Sequence, residues 1–185
     1  TAMMWPLWQR ATIMSFSGMT LTSQLNSNNS YLVDFFNMIR GVKHAVSAED
    51  LKNSDLIIKS EGFSSGVLLG GTLTIINSLL GTPYLRNLKQ DIILFLEDTN
   101  EKLYHIERSM VQLKQAGILR SVRGIIFGQF LYKNKQQNIW PAVKENLPEN
   151  IPVVLNFPYG HFPQSYPLPF GVPVQFSTSP FSLEW

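Results

Sequence analysis

Three features of the 185-residue sequence predict an α/β fold, built from strands and helices in alternation. Ile92, Ile93, Leu94, Phe95 and Leu96 form a strand-length apolar run without polar interruption, as expected of a strand covered on both faces. Leu103, Ile106, Met110 and Leu113 then recur at helical spacing, with Glu101, Glu107, Arg108 and Lys114 mostly off that stripe. Residues 124–130 return to an apolar strand pattern.

The other elements fit around these three. Residues 11–16 read as a short strand, and the Ser/Thr/Asn-rich stretch 20–29 as a loop. From Ser30 onward, Leu32, Phe35, Phe36 and Ile39 keep helical spacing, and Gly41 is placed to end that helix. Residues 42–62 are polar and mixed, which suits a connection between domains. A strand over 66–71 ends in paired glycines. A short buried helix follows, carrying Leu73, Ile75, Ile76, Leu79 and Leu80 and closed by Gly81 and Pro83. Thr99 or Asn100 is expected to cap the helix after the 92–96 strand, and Gly117 to end it, with Ile118 packing back. Residues 140–147 predict a short helix with Pro141 in its first turn. Residues 152–155 give a further strand, 157–173 a segment rich in proline and aromatics, and 174–176 a last strand.

Composition narrows the function classes. With 44% hydrophobic and 15% charged residues the chain is expected to be globular and soluble. Fifteen basic residues against thirteen acidic ones leave a formal charge of +2 without a basic cluster, which argues against nucleic acid as a partner. The absence of cysteine excludes disulfides and thiolate metal sites. No apolar run approaches the roughly 18–20 residues needed to span a bilayer, so no membrane partner is expected. The opening Met3-Met4-Trp5-Pro6-Leu7-Trp8 follows Thr1 without a charged leader, and suggests part of a longer polypeptide.

Of the three histidines, His44 lies just past a helix end in a polar stretch and His105 within a helix beside its apolar stripe. Both read as surface or boundary residues. His161 stands apart, because Gly160, Pro158 and Pro163 stiffen the backbone around a single imidazole shortly after a strand. General-base chemistry needs such a positioned imidazole, although on residue type alone a structural role is equally open. Glu97 follows five apolar strand residues, where a carboxylate is costly to bury without a partner and where α/β proteins place working groups. Asp98 alternates to the other face and reads as a helix-start residue. The glycines of 62–71 lack the Gly-Lys-Ser/Thr of a phosphate loop, and no Gly-x-Ser-x-Gly elbow occurs. Histidine spacing offers no zinc site, and Ser15, Ser17, Ser64 and Ser65 read as structural.

Several blocks together resemble the LD-carboxypeptidase family, which includes muramoyltetrapeptide carboxypeptidases and microcin C self-immunity proteins. They are Gly70-Gly71-Thr72-Leu73, Leu80-Gly81-Thr82-Pro83-Tyr84, Phe95-Leu96-Glu97-Asp98, Ile106-Glu107-Arg108, Gln115-Ala116-Gly117-Ile118, Phe127-Gly128-Gln129-Phe130, Phe157-Pro158-Tyr159-Gly160-His161 and Leu168-Pro169-Phe170-Gly171. The order and spacing are family-like over residues 60–175. The resemblance implies residues 1–50 as the tail end of an N-terminal flavodoxin-like nucleophile domain, 51–62 as a linker, and 63–185 as a C-terminal swivelling β/β/α-type domain. It assigns the acid of a Ser-Glu-His triad to Glu97 and the base to His161, and it places the serine upstream of Thr1. It further implies a cytoplasmic homodimer acting on a muropeptide or other small peptide, with no metal or other cofactor. The family usually carries Asn after the paired glycines, where this chain has Thr72, and a His-Gly-Pro block where Ser17-Gly18-Met19 stands. Two rival expectations are hydrolysis of a peptide-nucleotide conjugate, as in microcin immunity, and a non-catalytic binding domain derived from the enzyme.

Overall fold

A computed structural model describes residues 1–18, 30–51, 54–85 and 88–185. The loop expected over 20–29, Met19, and Lys52 and Asn53 of the expected linker lie outside the described residues. The fold is mixed α/β. Four parallel strands form its centre: β4 (Phe63–Thr72), β5 (Ile92–Thr99), β6 (Val122–Tyr132) and β8 (Val153–Leu155). Antiparallel strands flank them. β10 (Pro173–Thr178), β11 (Phe181–Glu184) and β2 (Ala45–Ser47) continue the sheet beyond β4, and β3 (Ile57–Ser60) pairs with β8 at the other edge. Among the described residues this sheet has nine strands, counting the short β7 (Lys135–Gln136) paired to β6. A separate two-stranded ladder joins β1 (Ser15–Ser17) to β9 (Leu168–Phe170).

The expected apolar strand is the centre of the core. Ile92 through Leu96 are all fully buried, and burial continues through Glu97 and Asp98 before relaxing at Thr99. Helices α3 (Leu73–Ser78), α4 (Leu103–Gln115) and α5 (Trp140–Val143) pack one against the next along the sheet. From the α4 stripe Ile106, Met110 and Leu113 are buried, whereas Leu103, the first residue of the helix, is exposed. Gly41 and Gly117 take φ of 67° and 78° after α2 (Leu32–Ile39) and α4, as their helix-ending positions require.

Several elements differ from expectation. Residues 4–11 form helix α1 (Met4–Ala11), and the strand read at 11–16 is shorter and later, at 15–17. Trp5 and Trp8 bury one face of α1, with the Trp5 ring edge-on to Phe170 at 5.7 Å. The stretch 42–62 supplies β2 and β3 of the main sheet. Among the described residues of those strands only Val46 is buried, so neither produced an alternating pattern. Thr99 stays in β5 and Asn100 adopts φ 61°. Helix α4 begins later, after an extended Lys102, without a side-chain cap. The helix expected over 140–147 is α5 followed by a 3₁₀ turn, Lys144–Asn146.

Close contact between β4 and β5 depends on Gly70. A Cβ there would strike the Phe95 carbonyl and lie 2.7 Å from the Phe95 ring, and the Gly70 carbonyl also accepts the Trp5 indole N–H at 3.0 Å. Backbone cannot yield as a flexible side chain can. Gly70→Ala is therefore expected to destabilise the chain by about 3 kcal/mol. A denaturant midpoint equal to that of the parent chain would refute this account of the β4–β5 packing.

Candidate active site

The carboxyl ends of the parallel strands converge on one cleft. In register, Thr72 at the end of β4 lies opposite Glu97 on β5. Between Leu96 and Asp98 the β5–β6 register shifts, because β6 carries one extra residue around Gly128 and Gln129. The segment after β8 docks into this irregular end of β6 through main-chain bonds. Phe157 N–H donates to Phe127 O at 3.0 Å, and Gln129 N–H donates to Tyr159 O at 2.8 Å. Gly160, with φ 142°, follows directly. A Cβ there would come within 3.1 Å of Glu97 Oε2, so the residue carrying the chain past the carboxylate is one without a side chain.

His161 is thereby delivered to Glu97. Its Nδ1 lies 2.8 Å from Glu97 Oε2, although the two residues are 64 positions apart. The second oxygen, Oε1, accepts the Thr72 hydroxyl at 2.7 Å. Burial is asymmetric: the Glu97 side chain is 3% exposed and that of His161 58%. The acid thus holds the ring from inside while the imidazole faces the cleft. The hydrogen bond to Glu97 raises the His161 pKa above its ordinary value, against the opposing effect of burial, and the Glu97 and Asp98 charges act in the same upward direction.

The cleft encloses about 440 Å³ and is bordered by Ser17, Thr72, Tyr159, His161, Phe162 and Ser165, among others. Tyr159 is buried edge-on to Phe95 at 5.0 Å, and its hydroxyl is hydrogen-bonded to Ser17. Burial pushes the Tyr159 phenol upward, so it remains protonated. Gly160 N–H donates to Ser165 Oγ at 3.1 Å.

Asp98 is used differently from the expectation. Its Oδ2 accepts Thr74 N–H at 2.9 Å and its Oδ1 accepts Thr99 N–H at 2.9 Å, so it serves the start of α3 and not that of α4. Burial raises its pKa against these two bonds. The remaining histidines lie elsewhere: His44 is exposed with Nε2 2.8 Å from Gly41 O, and His105 pairs with Glu101 at 2.6 Å one helical turn away. Among the described residues no group of three or more His, Asp or Glu side chains is arranged to hold a metal ion. No helix among them is long and apolar enough to cross a membrane. Reading residues singly missed the contact of Thr72 with Glu97 and that of Ser17 with Tyr159. The only signal at either place was the departure from the family pattern.

Comparison with known proteins gives the family of the chain. Residues 65–176 match the LD-carboxypeptidase C-terminal domain, and the chain belongs to the LD-carboxypeptidase family. A Streptomyces coelicolor protein named as a carboxypeptidase is 31% identical over 150 residues, covering 77% of this chain and 48% of its own length. The chain thus spans about half the length of that relative. The crystal structure of a muramoyltetrapeptide carboxypeptidase from Oxalobacter formigenes superposes with a TM-score of 0.77 at 25% identity, over 98% of this chain and 64% of the other. The microcin C7 self-immunity protein MccF, in complex with glutamyl sulfamoyl guanosine, superposes with a TM-score of 0.81 at 17% identity, over 98% and 63% of the two chains, a likeness of fold.

The raised His161 pKa has a definite sign for stability. A group whose pKa rises on folding contributes stability that is complete below its unfolded value, about 6.5 for histidine, and that fades as pH rises through the folded value. Replacing His161 by Ala should therefore cost more stability at about pH 6 than at about pH 9. Denaturation curves giving the same difference at both pH values would contradict the Glu97–His161 interaction.

Proposed function

We propose that the chain is the C-terminal portion of a serine LD-carboxypeptidase, with Glu97 and His161 as the acid and base of a Ser-Glu-His triad. One observation carries this reading: the 2.8 Å contact between a carboxylate buried at a strand end and an imidazole facing the cleft. Family membership and the muramoyltetrapeptide carboxypeptidase neighbour support it. The serine is assigned to a segment N-terminal to Thr1, because residues 65–176 match the C-terminal domain of the family and the sequence contains no Gly-x-Ser-x-Gly elbow. Residues 1–50 are read as the end of that nucleophile domain, 51–62 as the linker and 63–185 as the C-terminal domain, with β2 and β3 lending edge strands to its sheet.

The chemistry follows from the proton positions. Glu97 accepts Nδ1–H of His161, fixing the tautomer in which Nε2 is basic. Nε2 takes the proton of the serine hydroxyl as its oxygen bonds to the scissile carbonyl carbon. The imidazolium, stabilised by Glu97, returns that proton to the departing amine as the C–N bond breaks. Water then cleaves the acyl-enzyme by the same proton route in reverse. The substrate is a muropeptide, cut at the L,D bond before its terminal D-alanine, in cytoplasmic peptidoglycan recycling. The working assembly is a homodimer.

The sulfamoyl-nucleotide complex of the microcin immunity neighbour favours one second reading, hydrolysis of a peptide-nucleotide conjugate by the same triad. The departures at Ser17 and Thr72 both lie on the cleft wall, where they bear on the preference between the two substrates.

In the complete polypeptide, Glu97→Gln and His161→Ala should each lower kcat for a muramoyl tetrapeptide about 10³–10⁴-fold. Near-parental turnover in either variant removes that residue from the mechanism. Preference for an aminoacyl-adenylate analogue over the tetrapeptide would select the second reading. Purified residues 1–185 should release no D-alanine, and release of it would place the nucleophile within this chain.

A further inference from the structure

The Glu97 carboxylate has two oxygens, and His161 occupies one of them. The other is held by Thr72, whose hydroxyl donates at 2.7 Å. Thr72 stands opposite Glu97 in the β4–β5 register, so the sheet itself sets this contact. Thr72 is also the residue preceding the first turn of α3, where a threonine hydroxyl ordinarily caps a helix amide. Here it makes no capping bond, and the Thr74 amide in that turn is served instead by Asp98 at 2.9 Å. The two neighbouring side chains thus divide the work: Asp98 caps the helix, and the threonine hydroxyl is released toward Glu97. Thr1 fixes the direction further. Its Oγ1 accepts Thr72 N–H at 2.9 Å, and its hydroxyl donates to Thr72 Oγ1 at 3.3 Å. A carboxylate only accepts, so the Thr72 proton points at Glu97.

We propose that Thr72 is a positioning residue, which locks the plane of the Glu97 carboxylate so that Oε2 stays on His161 Nδ1. The terminal torsion of a glutamate is broad and roughly two-fold, and one donor on one oxygen does not fix it. Donors on both oxygens do. Without the hydroxyl, the buried carboxylate is free to turn toward another donor, which weakens its hold on the imidazole. The proposal rests on the Glu97–His161 reading given above.

The test is an NMR titration of the His161 ring in residues 1–185, comparing the parent chain with Glu97→Gln, Thr72→Val and Thr72→Ser. Glu97→Gln should lower the titration midpoint. Thr72→Val, close in shape but without the donor, should lower it toward the Glu97→Gln value, and Thr72→Ser should keep the parental midpoint. An unchanged or raised midpoint in Thr72→Val, with Glu97→Gln lowered, overturns the role of Thr72 alone. An unchanged midpoint in Glu97→Gln overturns the pairing itself. If Thr72→Val disturbs the amide spectrum, Thr72→Ala makes the same comparison, with Thr72→Ser as the rescue.

Discussion

A carboxylate at the end of a fully buried strand is the constraint around which this molecule is arranged. Glu97 follows five residues without solvent contact and is itself only 2% exposed. An unpaired charge at such depth costs several kcal/mol, even after relaxation. The surrounding structure offsets that cost from two directions. Thr72 reaches it along the sheet from β4, and His161 comes from the segment beyond β8. A hydrogen bond to a charged group contributes about 1.5–3 kcal/mol, so the two donors together are of the right size to keep the charge in place. The imidazole faces the cleft, so the pair is half inside the protein and half at its working surface.

Helix starts and the sheet compete for the same polar groups at this end of the fold. β5 carries two adjacent acids just before its last residue, and strand alternation sends them to opposite sides. Asp98 satisfies amides at Thr74 and Thr99, while Glu97 is left for the cleft. Parallel sheets place open strand ends and helix starts at one edge, which is where such groups can converge. The extra residue in β6 interrupts the ladder there, and Gly128, lacking a side chain, leaves room for the Tyr159 carbonyl beside Glu97.

Much of this was legible in the residues, for physical reasons that differ from place to place. The 92–96 run and the α4 stripe could be read because burial on a strand or helix face imposes a period. Glu97 stood out because a charge ends an apolar run, and His161 because glycine and prolines surround a lone imidazole. Their meeting was not written in any local pattern, since 64 residues separate them, and it came from the family-like blocks. β2 escaped notice because three residues are too few to show a period, and β3 because an edge strand exposed along most of its length needs no alternation. Helix α1 was missed because large apolar residues occupy more than one of its faces, with Leu7 exposed and Trp5 and Trp8 buried. The contact of Thr72 depends on a strand register that only the assembled sheet defines.

The bonds that dock the 157–161 segment onto β6 join main chain to main chain: Phe157 N–H to Phe127 O, and Gln129 N–H to Tyr159 O. Every amino acid but proline supplies such a donor, and every one supplies the acceptor. The path of the imidazole is thus laid down by the peptide backbone, much as a rail fixes a carriage whatever its cargo. Neither of these two bonds depends on the side chain of the residue that makes it. A fold shared at a TM-score of 0.81 with only 17% identity is what such scaffolding permits.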